Sequence, residues 1–198
     1  TSSKVNVSDS EEEEREQLFA KALKMFKQAE ASYRNSKLFN TELAKTFEDA
    51  EAVLKPVLAN SGLWGLTTKE LELVLKLRLH QAMILASCTE TFNPTWNRVK
   101  SLCEDVLQGD CKNPYAHYIR ALSLRNKPEP RLDEARTQLA RAIEFATEQG
   151  KTTEVDSWKK QIKEFESLPA AAKPEEEDEP SLDEWVEASA DIEAPTPP

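Results

Sequence analysis

Three stretches of the sequence repeat one spacing of apolar residues. In each stretch the positions advance by three, four, three and one residues, so all five lie along one face of a helix. A smaller residue at the second position lets a neighbouring helix approach closely, and the large residues fill the space between helix pairs. The three sets are Phe47, Ala50, Leu54, Val57 and Leu58; Trp96, Val99, Cys103, Val106 and Leu107; and Leu132, Ala135, Leu139, Ala142 and Ile143. This pattern predicts helical pairs that stack on one another.

The rest of the chain also favours helices. Glycine is rare, with only 4 residues in 198, whereas Ala, Leu, Glu and Lys, the good helix formers, are abundant. Thr67 and Glu70 have the spacing of a capping box. Asn113 precedes a proline at a first helical position, and Gly150 can end a helix. We expect an all-α fold of seven helices, which start near Glu11, Asn40, Thr67, Thr95, Asn113, Arg131 and Thr153.

The repeated spacing resembles the second helix of the tetratricopeptide repeat, and the resemblance covers roughly residues 15–168. The stretch "CKNPYAHYIRALSL" is similar to the turn and first helix that open such a repeat, with Ala121 at the small, close-packing position. The resemblance implies about three tetratricopeptide-like helical hairpins and a C-terminal capping helix over about 153–168. A generic amphipathic bundle is the alternative, because any regular apolar stripe can produce similar spacings.

Proteins of this family hold a peptide or helix of a partner in a concave groove, so the resemblance implies a protein–protein interaction adaptor of the co-chaperone or immunophilin type. Co-chaperones of this kind surround a terminal carboxylate with Lys, Asn and Arg side chains. The matching positions here supply no such clamp, and we do not expect binding to the acidic tails of chaperones. These positions hold Phe19 and Leu23 or, in a second register, Phe26 and Glu30, together with Leu85 or Ile84, Tyr115 and Ile119.

An apolar groove is predicted in place of the clamp. Its expected partner-binding residues are Gln81, Leu85, Cys88, Tyr115, Ile119 and Leu122. The alternative is that these side chains pack within the first helices of the repeats. Two other functions stay open, a structural helical subunit of a larger assembly and the C-terminal repeat region of an immunophilin-type prolyl isomerase. An adaptor should be a monomer or part of a hetero-complex.

The net charge of −10 is concentrated at the two ends of the chain. Residues 169–198 hold 10 acidic residues and one lysine, and residues 1–16 hold 6 acidic and two basic residues. Residues 17–168 hold 20 acidic and 23 basic residues. We expect disordered acidic arms over 1–14 and 169–198, on either side of a helical domain at 15–168. Nucleic acid is not an expected partner, because the acidic arms repel phosphate.

The C-terminal arm contains a short amphipathic motif over residues 181–192. Ser181 and Glu184 have capping-box spacing, and apolar residues follow at helical intervals. An isolated helix this short needs a surface that receives it. We expect the motif to dock on the protein's own groove as a lid or to bind another protein; the alternative is a solvated tail. Its apolar residues are Leu182, Trp185, Val186 and Ile192.

The N-terminal arm contains two candidate phosphorylation sites. Ser8 and Ser10 each lie three residues before a glutamate, which resembles the acid-directed sites of casein kinase 2. A phosphate there would suit the start of the following helix. The alternative is an arm that only increases solubility.

No pattern of catalytic residues is recognisable. The two histidines belong to different predicted helices, and the four glycines form no phosphate-binding loop. Cys103, Cys111 and His117 do not indicate zinc, because the chain has no C-x-x-C motif and Cys103 occupies a packing position. We expect no enzyme activity, metal or cofactor. An odd number of cysteines and the lack of a ~20-residue apolar run favour a soluble cytoplasmic or nuclear protein that does not contact membranes.

Overall fold

The computed structural model describes residues 7–35, 41–88, 94–126 and 130–167. Within these ranges the protein is all-helical, as predicted, and contains no strand. The described helices belong to one compact unit, and none of them is both long and apolar enough to cross a membrane. They are α1 (Val7–Asn35), α2 (Thr41–Ala52), α3 (Lys55–Ser61), α4 (Thr68–Ser87), α5 (Pro94–Gly109), α6 (Pro114–Arg125), α7 (Leu132–Glu148) and α8 (Thr152–Ser167).

Consecutive helices pack as pairs. α1 contacts α2, α4 contacts α5, and α6 contacts α7. Neighbouring pairs are joined by contacts of α2 with α4 and of α5 with α6, while α8 packs on α7. The first helices of the pairs also meet, α1 with α4 and α4 with α6. The three first helices therefore form a row along the stack.

The repeated apolar positions are the packing positions of this stack. The fifth position of each set is half-buried, at Leu58, Leu107 and Ile143. The other four positions of each set are buried, as the spacing predicted: Phe47, Ala50, Leu54 and Val57; Trp96, Val99, Cys103 and Val106; Leu132, Ala135, Leu139 and Ala142.

Local signals place several helix ends where the sequence predicted them. Thr67 and Glu70 form the complete capping box of α4. The Asn113 side chain accepts a hydrogen bond from the Ala116 amide at the start of α6. Gly150 has a φ of +70° after the end of α7, a conformation that L residues rarely adopt.

Two predicted boundaries are wrong. α1 starts at Val7 instead of about Glu11, so residues 7–14 are helical and not a disordered arm. Acidic side chains near a helix N-terminus are stabilising, which favours this early start. The helix predicted over about 40–58 is divided into α2 and α3, because Pro56 lacks an amide proton and its ring would clash with the Ala52 carbonyl one turn earlier.

The described residues form two hydrophobic core clusters. The larger includes buried residues of α1, α2, α4 and α5 together with Ile119 of α6. The smaller joins the end of α6 to α7 and α8, and it contains Trp158. Tyr118 packs against both clusters, so this one side chain of α6 lies at their boundary.

A polar network ties α2, α4 and α5 together. The Glu51 carboxylate accepts hydrogen bonds from Arg78 Nε and Gln81 Nε2, both at 2.8 Å. Arg78 Nη1 also lies 3.3 Å from Asp105 Oδ2 of α5. A largely buried carboxylate is tolerated only when its oxygens are paired, so this network specifies how the three helices fit together.

Candidate partner-binding face

The row of first helices places aromatic side chains next to one another. The rings of Tyr33 on α1 and His80 on α4 meet edge to face, with centroids 5.4 Å apart. His80 also stacks on Phe47 at 4.9 Å. Burial lowers the pKa of His80, which favours the neutral imidazole within this aromatic cluster.

Tyr115 continues the row at the start of α6. Its hydroxyl donates a 2.7 Å hydrogen bond to Glu154 Oε1 of α8, and Lys151 Nζ lies 4.4 Å from its ring centroid. Burial raises the pKa of Tyr115 to about 12, with further contributions from the hydrogen bond and charge of Glu154 and from Tyr33. Because α4 contacts both α1 and α6, these three helices belong to the same row.

Tyr118 lies one turn after Tyr115 and extends the face to α8. Its ring stacks on Trp158 with centroids 4.7 Å apart, and its hydroxyl accepts a 3.0 Å hydrogen bond from Gln161 Nε2. We call the set of Tyr33, His80, Tyr115 and Tyr118 the inner aromatic face. All four residues are half-buried.

Three of the six partner-binding residues predicted from the sequence are buried within the fold. Gln81 is 2% exposed and is bound to Glu51. Leu85 and Ile119 are buried in the larger core cluster. Their assignment to an exposed groove is therefore wrong, because these side chains turn toward neighbouring helices.

The other three predicted residues are partly accessible. Cys88 and Leu122 are half-buried and pack against the larger core cluster. Burial raises the pKa of the Cys88 thiol, which disfavours the reactive thiolate. Tyr115 is the predicted residue that the structure places on the inner aromatic face.

Sequence reasoning missed Tyr33 and His80 as members of this face. Both are aromatic rings with a polar atom on otherwise apolar stripes. That combination favours half-buried surfaces and is the signal that could have identified them.

The residues considered for zinc have other roles. Cys103 is buried, whereas Cys111 is exposed. His117 uses both ring nitrogens within the fold, at 2.7 Å from Gln138 Oε1 and 2.9 Å from the Cys111 carbonyl oxygen. No group of three metal-binding side chains occurs among the described residues.

The remaining predicted sites lie at the two ends of the chain. Ser8 and Ser10 fall in the first turn of α1, where Ser10 is exposed. The tail motif lies outside the described residues, with all four of its apolar members, Leu182, Trp185, Val186 and Ile192.

Comparison of the chain with protein-family models, curated protein sequences and solved structures finds no match.

Proposed function

We propose that this chain is a tetratricopeptide-like adaptor that binds an apolar or aromatic segment of a partner protein on the inner aromatic face. The proposal rests on one observation: each helix of the row formed by α1, α4 and α6 carries a half-buried aromatic side chain, namely Tyr33, His80 and Tyr115. Half-buried aromatic rings with polar tips suit such a ligand. The ring provides apolar contact area, and the polar atom can hydrogen-bond.

The charges near the face do not favour a terminal carboxylate as the ligand. Glu154 lies against the Tyr115 hydroxyl, and the neighbouring Lys151 is engaged over the Tyr115 ring. The clamp positions at Phe19, Leu85 and Ile119 are buried and carry no cation. A ligand that binds mainly through apolar side chains is the better fit.

One candidate ligand is present in the chain itself. The motif over residues 181–192 combines a tryptophan with three aliphatic or β-branched residues. If it reaches the inner aromatic face, it acts as a lid that a partner must displace. Tethering would give it a high effective concentration and make it a strong competitor.

The test is a titration of labelled peptides into the chain ending at Ser167, with fluorescence anisotropy as the readout. The peptides are residues 178–195, a peptide with an acidic C-terminal tail, and the amidated form of that acidic peptide. We expect the 178–195 peptide to bind and both forms of the acidic peptide to bind weakly or not at all. Tyr33→Ala and Tyr118→Ala should each weaken binding about fivefold or more, which corresponds to about 1 kcal/mol.

Trp64→Ala is the matched control, because it removes an exposed aromatic side chain from another part of the surface. Binding that is equally sensitive to Trp64→Ala would contradict the inner aromatic face as the site. If no peptide binds and the chain self-associates in sedimentation experiments, a structural subunit becomes the better description. Tight binding of the acidic peptide that amidation abolishes would show a carboxylate site instead.

A further inference from the structure

A second surface lies near the N-terminal end of α1, where the turn after α3 carries an exposed tryptophan, Trp64. Among the described residues only two large apolar side chains are exposed, Leu23 and Trp64, and Trp64 is 82% exposed. A tryptophan in water leaves a large apolar area unburied, and this residue type is enriched at the energetic centres of protein interfaces.

The turn that carries Trp64 is held in place. Gly62 has a φ of +61° and donates a 3.0 Å hydrogen bond to the Leu58 carbonyl, which ends α3. A side chain at Gly65 would clash with Ser61, because its Cβ would lie 2.6 Å from the Ser61 Cβ. Arg15 Nη2 of α1 donates a 3.0 Å hydrogen bond to the Gly65 carbonyl. Trp64 is thus presented by a constrained backbone, which reduces the entropy lost on binding.

A groove of about 810 Å³ lies beside this turn, between α1 and α3. Pro56, Val57 and Asn60 form part of one wall. The other wall carries Glu11, Glu12, Glu14 and Glu16 of α1. Among the described residues that line the groove, Arg15 is the only cation, and it forms an ion pair with Glu70 at 2.7 Å. The groove is therefore strongly acidic, and Trp64 directly precedes Gly65, which lines it.

We propose that Trp64 and this acidic groove form a docking surface for a segment of a partner protein that carries Lys or Arg side chains. The face of an indole is the best aromatic acceptor of a cation, and the glutamates provide carboxylates for ion pairs with the same segment. Charge complementarity thus selects a basic occupant. This surface is separate from the inner aromatic face and prefers ligands of opposite charge to the acidic tail.

The experiment uses the full chain and a fluorescein-labelled peptide of alternating arginine and leucine, at about 0.15 M salt to screen non-specific attraction. A peptide of equal length with glutamate in place of arginine is the negative probe. We expect the arginine peptide to bind and the glutamate peptide not to bind. Trp64→Ala should weaken binding about fivefold or more, whereas Tyr33→Ala should have no effect.

The charge contribution is tested with two triple variants that change the net charge equally. The first neutralises Glu11, Glu12 and Glu14 in the groove. The second neutralises the exposed Asp49, Glu144 and Asp156, which lie on other helices. Only the first should weaken binding, and circular dichroism checks that both remain folded. Equal loss in both triples, an unchanged affinity after Trp64→Ala, or no binding of the arginine peptide would each overturn the proposal.

Discussion

At the residue scale, Glu70 carries an unusual number of roles. Its Oε2 accepts hydrogen bonds from the Thr67 amide and from Arg15 Nη2, both at 2.7 Å, and its Oε1 accepts one from Arg15 Nε at 2.9 Å. The same carboxylate therefore caps α4 and anchors α1. The hydrogen bonds from Arg15, followed by those of Thr67, lower the pKa of Glu70, although burial acts in the opposite direction.

We expect Glu70→Gln to reduce the free energy of unfolding by about 1–2 kcal/mol at neutral pH, because two charge-assisted hydrogen bonds are lost. The folded-state pKa of Glu70 is depressed, so its contribution is complete above the ordinary value of 4.5 and declines as the pH falls through the lower folded value. Urea unfolding of both proteins from about pH 3 to about pH 7 measures this difference.

Glu72→Gln is the control for this prediction. Glu72 pairs with Lys76 on the exposed surface of α4, at 2.6 Å, where solvent screens the interaction. Glu72→Gln should change the free energy of unfolding very little at any pH. A Glu70→Gln effect that is the same at low and neutral pH would show that the lost stability does not come from the ionised carboxylate.

At the scale of helices, the capping residues predicted the helix ends more accurately than the spacing of apolar residues did. The capping box at Thr67 and Glu70, the Asn113–Pro114 start and the Gly150 end depend on neighbouring residues in the sequence, and the structure confirms them. The early start of α1 was missed because an acidic stretch without an apolar stripe is also typical of a disordered arm. The break at Pro56 could have been predicted, since proline inside a helix removes a hydrogen bond.

The last helix should be essential for stability. Removing α8 by ending the chain at Gly150 would expose the ring of Tyr118 and the surface that buries Val155 and Trp158. We expect a clearly lower melting temperature by circular dichroism than for a chain that ends at Ser167. If the shorter chain does not fold, Trp158→Ala in the longer one should cost about 3–5 kcal/mol. Equal melting temperatures for the two chains would contradict the role of α8 as a cap.

At the scale of the whole molecule, the sequence predicted the stack of helices better than it predicted the residues of the candidate binding face. The spacing identifies which residues of a helix are apolar, and those positions are buried as expected. The spacing does not identify the helix against which each apolar face packs. Leu85 and Ile119 could therefore be assigned to a groove although they face other helices, while Tyr33 and His80 meet only because α1 and α4 lie side by side.

The division of the core into two clusters has a consequence for how the molecule opens. Among the aromatic residues that the structure describes, only Tyr118 packs against both clusters, so α7 and α8 can separate while the larger cluster stays intact. In hydrogen exchange followed by mass spectrometry, amides of α7 and α8 should exchange through a partial opening, and those of α2, α4 and α5 only through global unfolding. Tyr118→Ala should widen that difference. Identical opening free energies in all helices would indicate a single cooperative unit. The stack is therefore expected to unfold first at its C-terminal end. A partner bound to both α6 and α8 would slow this partial unfolding.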